Sequence, residues 1–159
     1  EKTLGNFGRL VNEKAGLYPI KVLERFSKKI NKSLSQINIL LIGLAFKGTP
    51  ETEDMRGSIA LEIFFDLKSK VHEIASWDAV IDIKTLSDNY LNPISTINKN
   101  LERFDAIFIL NNNPKNINFN PLNKEIKYRL IFDGWDLLDS SEIEKVDGQT
   151  YATMGYMSI

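Results

Sequence analysis

The chain has no cysteine and a single histidine, His72, among its 159 residues. That excludes a disulfide framework, a thiolate metal site and a cysteine nucleophile, and one histidine cannot build a metal cluster alone. Acidic and basic residues nearly cancel, leaving a formal charge of −1, so there is no basic footprint for nucleic acid. No apolar run approaches the roughly 20 residues that cross a bilayer, and Glu1 to Leu10 has neither the basic start nor the apolar centre of a signal peptide. A cytoplasmic setting is therefore expected. The first residue is not Met, which suggests a piece of a longer protein. No repeat, G-x-S-x-G, H-E-x-x-H or triad-completing second histidine is found.

What is present is enough apolar residue for one packed domain. Glu1 to Asn12 reads as a frayed lead-in. A first helix follows, with Pro19 in its opening turn, Val22, Leu23, Phe26 and Ile30 on an apolar stripe, and Lys21, Arg25, Lys28 and Lys29 facing water. The stretch Ile37 to Ser58, INILLIGLAFKGTPETEDMRGS, dominates the rest. Its apolar, β-branched opening reads as a strand buried on both faces, Gly43 ends it, and Ser58 caps a helix over Ile59–Leu67. Further strands are expected at Val71–Trp77, Asp105–Leu110, Arg129–Asp133 and Gln149–Met154, and helical stretches at Pro93–Arg103 and Asn120–Lys127. Asn111, Asn112, Asn113 and Pro114 form an emphatic break. The fold class is α/β: a Rossmann-like, doubly wound, mainly parallel sheet preceded by a helical segment. In such sheets ligands bind at the carboxyl ends of the strands, where the loop after Ile42 lies.

That loop, G-x-x-x-x-G followed by Thr49 and Pro50, satisfies neither G-x-G-x-x-G nor G-K-[ST]. Asp78, after the second strand, stands where an acid could hold ribose hydroxyls, but a turn or helix-cap role is the better reading. The pairs Glu51/Glu53 and Asp133/Asp136 read as solvated loop acids rather than an acid/base couple. A phosphorylation receiver would need two acids after the first strand, where Leu44 and Ala45 stand instead.

The motif AFK, Ala45 to Lys47, with DMRGS, Asp54 to Ser58, resembles the C-terminal, nucleotide-sugar-binding domain of the UDP-glucose/GDP-mannose dehydrogenases, whose usual form is G-[LF]-[AS]-[FY]-K followed by D-D-x-R-x-S. NEKAGLYPIKVLERF is similar to the end of that family's central helical region, and EIASWDAVID, DAIFILNNN and IFDGWDLLD to its later strands. The resemblance implies residues 1–35 as the end of a central helical or linker region and residues 36–159 as the nucleotide-sugar-binding domain. It implies an enzyme oxidising a sugar C6 alcohol to a carboxylate in two NAD-dependent steps, a homodimer making polysaccharide precursors. The catalytic cysteine and most of the NAD site would lie upstream, so no catalytic residue and no activity are expected in this chain.

By the same resemblance Phe46 and Lys47 contact the nucleotide sugar, a UDP-sugar, and Arg56 reaches NAD. The residues alone leave alternatives: Lys47 as a solvated lysine, Phe46 as a cap on the core, Arg56 in an ion pair with Glu53 or Asp54. The Lys47–Arg56 loop is two residues longer than usual, Gly57 replaces a glutamate, and Trp135 stands where some relatives carry arginine after Asp-Gly. Trp135 either stacks on base or sugar or seals the sheet edge. A stand-alone nucleotide-binding regulator and a purely structural oligomerisation domain are the competing classes.

Overall fold

The computed structural model describes residues 15–99, 101–122 and 126–158. Its centre is a six-stranded sheet in the order β2-β1-β3-β4-β5-β6, with β1 Asn38–Ile42, β2 Glu73–Trp77, β3 Ala106–Ile109, β4 Arg129–Asp133, β5 Gln149–Thr153 and β6 Tyr156–Met157. The first five are parallel, and only β6 runs antiparallel, beside β5. The chain order reverses between β1 and β3, which is the topological switch point of a doubly wound sheet.

Apolar runs dictate this arrangement. In β1, Ile39 and Leu41 face one side and Leu40 and Ile42 the other, all fully buried, because a parallel strand covered on both faces cannot alternate with polar residues. The first face is covered by α1, Tyr18–Lys29, and α2, Ile59–Leu67. Val22, Leu23 and Phe26 of α1 share a core with Ile63, Phe64 and Leu67 of α2, so the helix preceding β1 packs into this domain. Lys21, Arg25, Lys28 and Lys29 are exposed, as the helical spacing predicts. Ser58 accepts a hydrogen bond from Ala60 N at 3.3 Å and caps α2. The second face is covered by irregular segments carrying Ile97, Phe104 and Phe119, and by α4, Ser140–Glu144, through Ile143.

Two expectations are corrected. Pro93–Arg103 is not a helix: the helical segment is α3, Ile83–Asp88, upstream, where Asp82 accepts from Thr85 N at 2.8 Å. Asn92 has φ +49°, Pro93 bridges to Ser76 of β2, and only a short 3-10 turn, Leu101–Arg103, follows. Tertiary burial of Ile97 and Phe104 overrides the local spacing. Asn120–Leu122 and Ile126–Lys127 are not helical, and the middle of that expected helix lies outside the described residues, as does the lead-in Glu1–Asn12. No helix among the described residues is long and apolar enough to cross a membrane.

Candidate functional site

The carboxyl ends of β1, β2 and β3 are fastened together by side-chain amides and one carboxylate. Gly43, at φ +85°, turns the chain out of β1, and a Cβ there would lie 2.7 Å from the Asn111 side chain. Asn111 Nδ2 donates to the Ala45 carbonyl at 3.4 Å, and Asn111 Oδ1 accepts from Asn113 N at 3.2 Å and Asn116 Nδ2 at 2.7 Å. Asn116 Oδ1 in turn accepts from Ala79 N at 2.8 Å, beyond β2. The asparagine run read from sequence as a loop break is thus a buried polar frame at the switch point. Its length of polar residues was the only signal.

Asp78 completes the frame. One carboxylate oxygen accepts from Leu44 N (2.8 Å) and Ala45 N (3.2 Å), the other from Val80 N (2.9 Å) and Ile81 N (3.4 Å). Four backbone amides therefore occupy the acid that could have held ribose hydroxyls, and its role is a turn and a tie between two loops. Glu51 is a surface acid whose pKa is held down by hydrogen bonds from Lys115, at 2.7 Å, and Asn113. Asp133, by contrast, is no solvated loop acid. It is fully buried and accepts from Trp135 N (3.2 Å), Leu137 N (2.6 Å) and Leu138 N (2.7 Å). Tyr151 OH donates to Asp136 at 2.8 Å and approaches Asp133 at 3.4 Å.

These ties present the candidate residues. Phe46 N donates to the Asp54 carbonyl at 2.8 Å, closing the loop between them, and the Thr49–Pro50 peptide in it is cis. Phe46 is 60% exposed, so it does not cap the core. Trp135 is 53% exposed and donates through its indole N–H to the Leu110 carbonyl at 3.2 Å, which fixes the ring while leaving much of it on the surface. The two rings line one cleft of about 190 Å³ with Pro19, Ile59, Leu110 and Met154. Lys47, next to Phe46, is exposed and makes no hydrogen bond or ion pair among the described residues. A larger depression of about 630 Å³, bordered by Lys32 and Asp105, lies at the amino ends of β3 and β4, away from this edge.

Arg56 does not line the cleft. Its Nε donates to both Asp54 oxygens, at 2.9 and 3.1 Å, and its Nη2 to one of them at 2.7 Å. This is the fork geometry that arginine favours, and it offsets the cost of a cation beside the amino end of α2. The pair holds the Asp54 carboxyl down to about 2 from an ordinary 3.8. By linkage, the contribution of this ion pair is fully present above pH 3.8 and is lost as pH falls through about 2. A carbon-detected NMR titration of Asp54 is expected to show a midpoint near 2, and a midpoint near 3.8 would mean that the fork is open in solution. The side chain of Arg56 is nevertheless 92% exposed, and Nη1 makes no hydrogen bond among the described residues.

Residues 40–140 match the UDP-glucose/GDP-mannose dehydrogenase family, UDP binding domain. The chain is 26% identical, over 132 residues, to UDP-N-acetyl-D-mannosamine dehydrogenase of Pyrococcus horikoshii, a match covering 82% of the chain and 29% of that protein. Its fold superposes on the structure of UDP-D-ManNAc dehydrogenase from Pyrococcus horikoshii with a TM-score of 0.74 at 23% identity, over 98% of this chain and 34% of that one. It superposes on NDP-N-acetyl-D-galactosaminuronic acid dehydrogenase from Methanosarcina mazei with a TM-score of 0.73 at 13% identity, over 98% and 32% of the two chains. The chain thus spans about a third of the length of these relatives. The match over 40–140, on the loops that carry Phe46, Lys47, Arg56 and Trp135, shows that the chain belongs to the UDP-glucose/GDP-mannose dehydrogenase family, as its UDP-binding domain.

Proposed function

We propose that the chain holds a UDP-sugar for an NAD-dependent nucleotide-sugar 6-dehydrogenase whose catalytic cysteine and main NAD site lie in another part of the protein. The observation that supports this most is the pairing of Phe46 and Trp135 on one apolar cleft, with the exposed, unpaired Lys47 next to Phe46 in the chain. Exposed aromatic faces can stack on a uracil or sugar ring, and a lysine ammonium without a carboxylate partner suits a diphosphate. The residues toward NAD are fewer. With no glycine fingerprint, this chain contributes Arg56, whose free Nη1 edge fits a polar or anionic group as a hydrogen-bond donor, its charge being balanced by Asp54. NAD itself supplies the hydride acceptor. In the whole protein, residues 1–35 would end the central helical region and 36–159 form the nucleotide-sugar domain, with the enzyme a cytoplasmic homodimer serving polysaccharide synthesis.

Kinetics of the full-length protein test the two assignments. Lys47→Ala should weaken use of the UDP-sugar and Arg56→Ala use of NAD, each by roughly ten- to hundredfold in kcat/KM for the affected ligand, the value of one charged hydrogen bond. An Arg56→Ala enzyme with normal NAD dependence and a lowered melting temperature would make Arg56 a purely structural partner of Asp54. For the chain alone, UDP-sugar at about 100 Kd should add roughly 2.7 kcal/mol to the native state. No thermal shift at millimolar concentration would count against the proposal. NADH formation by the chain alone would contradict the upstream placement of the cysteine, since a thiohemiacetal and thioester need a thiol that this chain lacks.

A further inference from the structure

The residue that fixes the Lys47 loop is not in the motif that contains it. Asn112, just past β3, accepts through one side-chain oxygen from Gly48 N at 3.0 Å and Thr49 N at 3.1 Å, the two amides that follow Lys47. The Thr49 hydroxyl returns to the Asn112 carbonyl at 3.5 Å. Both partners of the side chain are N–H donors, so the oxygen of the amide must face them. The contact is close as well as polar: a Cβ on Gly48 would lie 1.9 Å from Asn113 N, so no side chain fits between the two loops.

We propose that Asn112 is a positioning residue for Lys47, clamping the Gly48 and Thr49 amides so that the lysine reaches a nucleoside diphosphate from a fixed backbone. The inference rests on the reading of Lys47 as a diphosphate contact. The gain is entropic. A lysine stem already loses rotamer freedom on binding, and a backbone free to move at Gly48 adds its own ordering cost. An anchor formed before the ligand arrives removes that cost from the binding step. Asn112 works through two neutral hydrogen bonds and touches Lys47 only through the chain, so its effect on affinity exists only while Lys47 is there to be positioned.

The test is a double-mutant cycle on the full-length protein, with UDP as the probe and isothermal titration calorimetry as the readout. Asn112→Ala should weaken UDP binding roughly fivefold to tenfold, and in a Lys47→Ala background it should weaken it no further, since coupled residues are not additive. The melting temperature should fall on Asn112→Ala in both backgrounds, and amide hydrogen exchange should speed at Gly48 and Thr49. Asn112→Ser, which keeps a shorter acceptor, carries the same cycle if the alanine variant does not fold. Additive losses would overturn the proposal, because Asn112 would then meet the ligand itself. Lys47→Ala that weakens UDP binding while Asn112→Ala does not would overturn the clamp alone. Lys47→Ala without effect, or wild-type protein that does not bind UDP, would defeat the reading of Lys47 and the clamp with it.

Discussion

Replacing Arg129 by alanine is expected to cost the domain about 3–5 kcal/mol, the largest single loss among its charged residues. Arg129 opens β4 and is fully buried. Its guanidinium donates to the carbonyls of Phe104 (3.1 Å), Pro121 (2.8 Å) and Leu101, outside the strands, and the last of these also accepts from Phe104 N at 3.1 Å. Burial lowers its pKa to about 10, and the charges of Asp105 and Glu102 recover only part of the shift. The native state therefore carries a desolvation cost at neutral pH that is relieved only as pH rises above about 10. Three charge-assisted bonds at roughly 1.5–3 kcal/mol each outweigh that cost. Alanine would leave the Phe104 and Pro121 carbonyls unpaired around a cavity and the Leu101 carbonyl with its Phe104 N bond alone, whereas Arg129→Met should recover the packing but not the bonds. Urea unfolding with an unchanged m-value measures the difference, and a loss below about 1 kcal/mol for the alanine variant would show that water satisfies these carbonyls.

Asp133→Ala comes next, at about 3–4 kcal/mol, because it strands the amides of Trp135, Leu137 and Leu138. The loss should reach the cleft too. In a Trp77→Phe background the emission of Trp135 should shift and broaden, since its backbone anchor is gone. Unchanged emission with the full stability loss would mean that the bond to the Leu110 carbonyl holds the ring alone. Tyr151→Phe removes only one donor and should cost about 1 kcal/mol. Burial first, and then the bond to Asp136, pushes the Tyr151 phenol well above its ordinary 10. The folded state keeps this proton after the unfolded chain has released it, so the stability Tyr151 contributes is intact below pH 10 and declines above it.

Three strands were legible because each is a short apolar run: Ile39 to Ile42, Ala106 to Ile109 and Leu130 to Phe132 are buried on whichever face they point to. The α2 helix was legible from Ser58 and the spacing behind it. Between Pro93 and Phe104 the same logic misled. Ile94, Ile97, Leu101 and Phe104 stand three and four residues apart, the period of a helix face, yet each enters the second core from an irregular path. In the site, the local motif announced Phe46, Lys47 and Arg56. The cleft shared by Phe46 and Trp135 had no local signal, because two loops far apart in sequence meet only after the sheet forms. Arg129, Asp133 and Asn111 were hidden for another reason. Charge and amide read as surface in a sequence, and their partners are mostly backbone groups, which carry no side-chain signature.

The bridge between Ser76 and Pro93 bears on how copies of the domain can meet. Ser76 N donates to the Asn92 carbonyl and Ile94 N to the Ser76 carbonyl, so at Ser76 the outer rim of β2 has its hydrogen bonds made by the chain's own returning segment. Proline, lacking an N–H, ends that segment as a template for anything further. At the far rim β6 is only two residues long and opposed in direction to its neighbour. The β2 rim is thus blunted against strand addition at Ser76. Strand addition at that rim would first require the Pro93 segment to peel away.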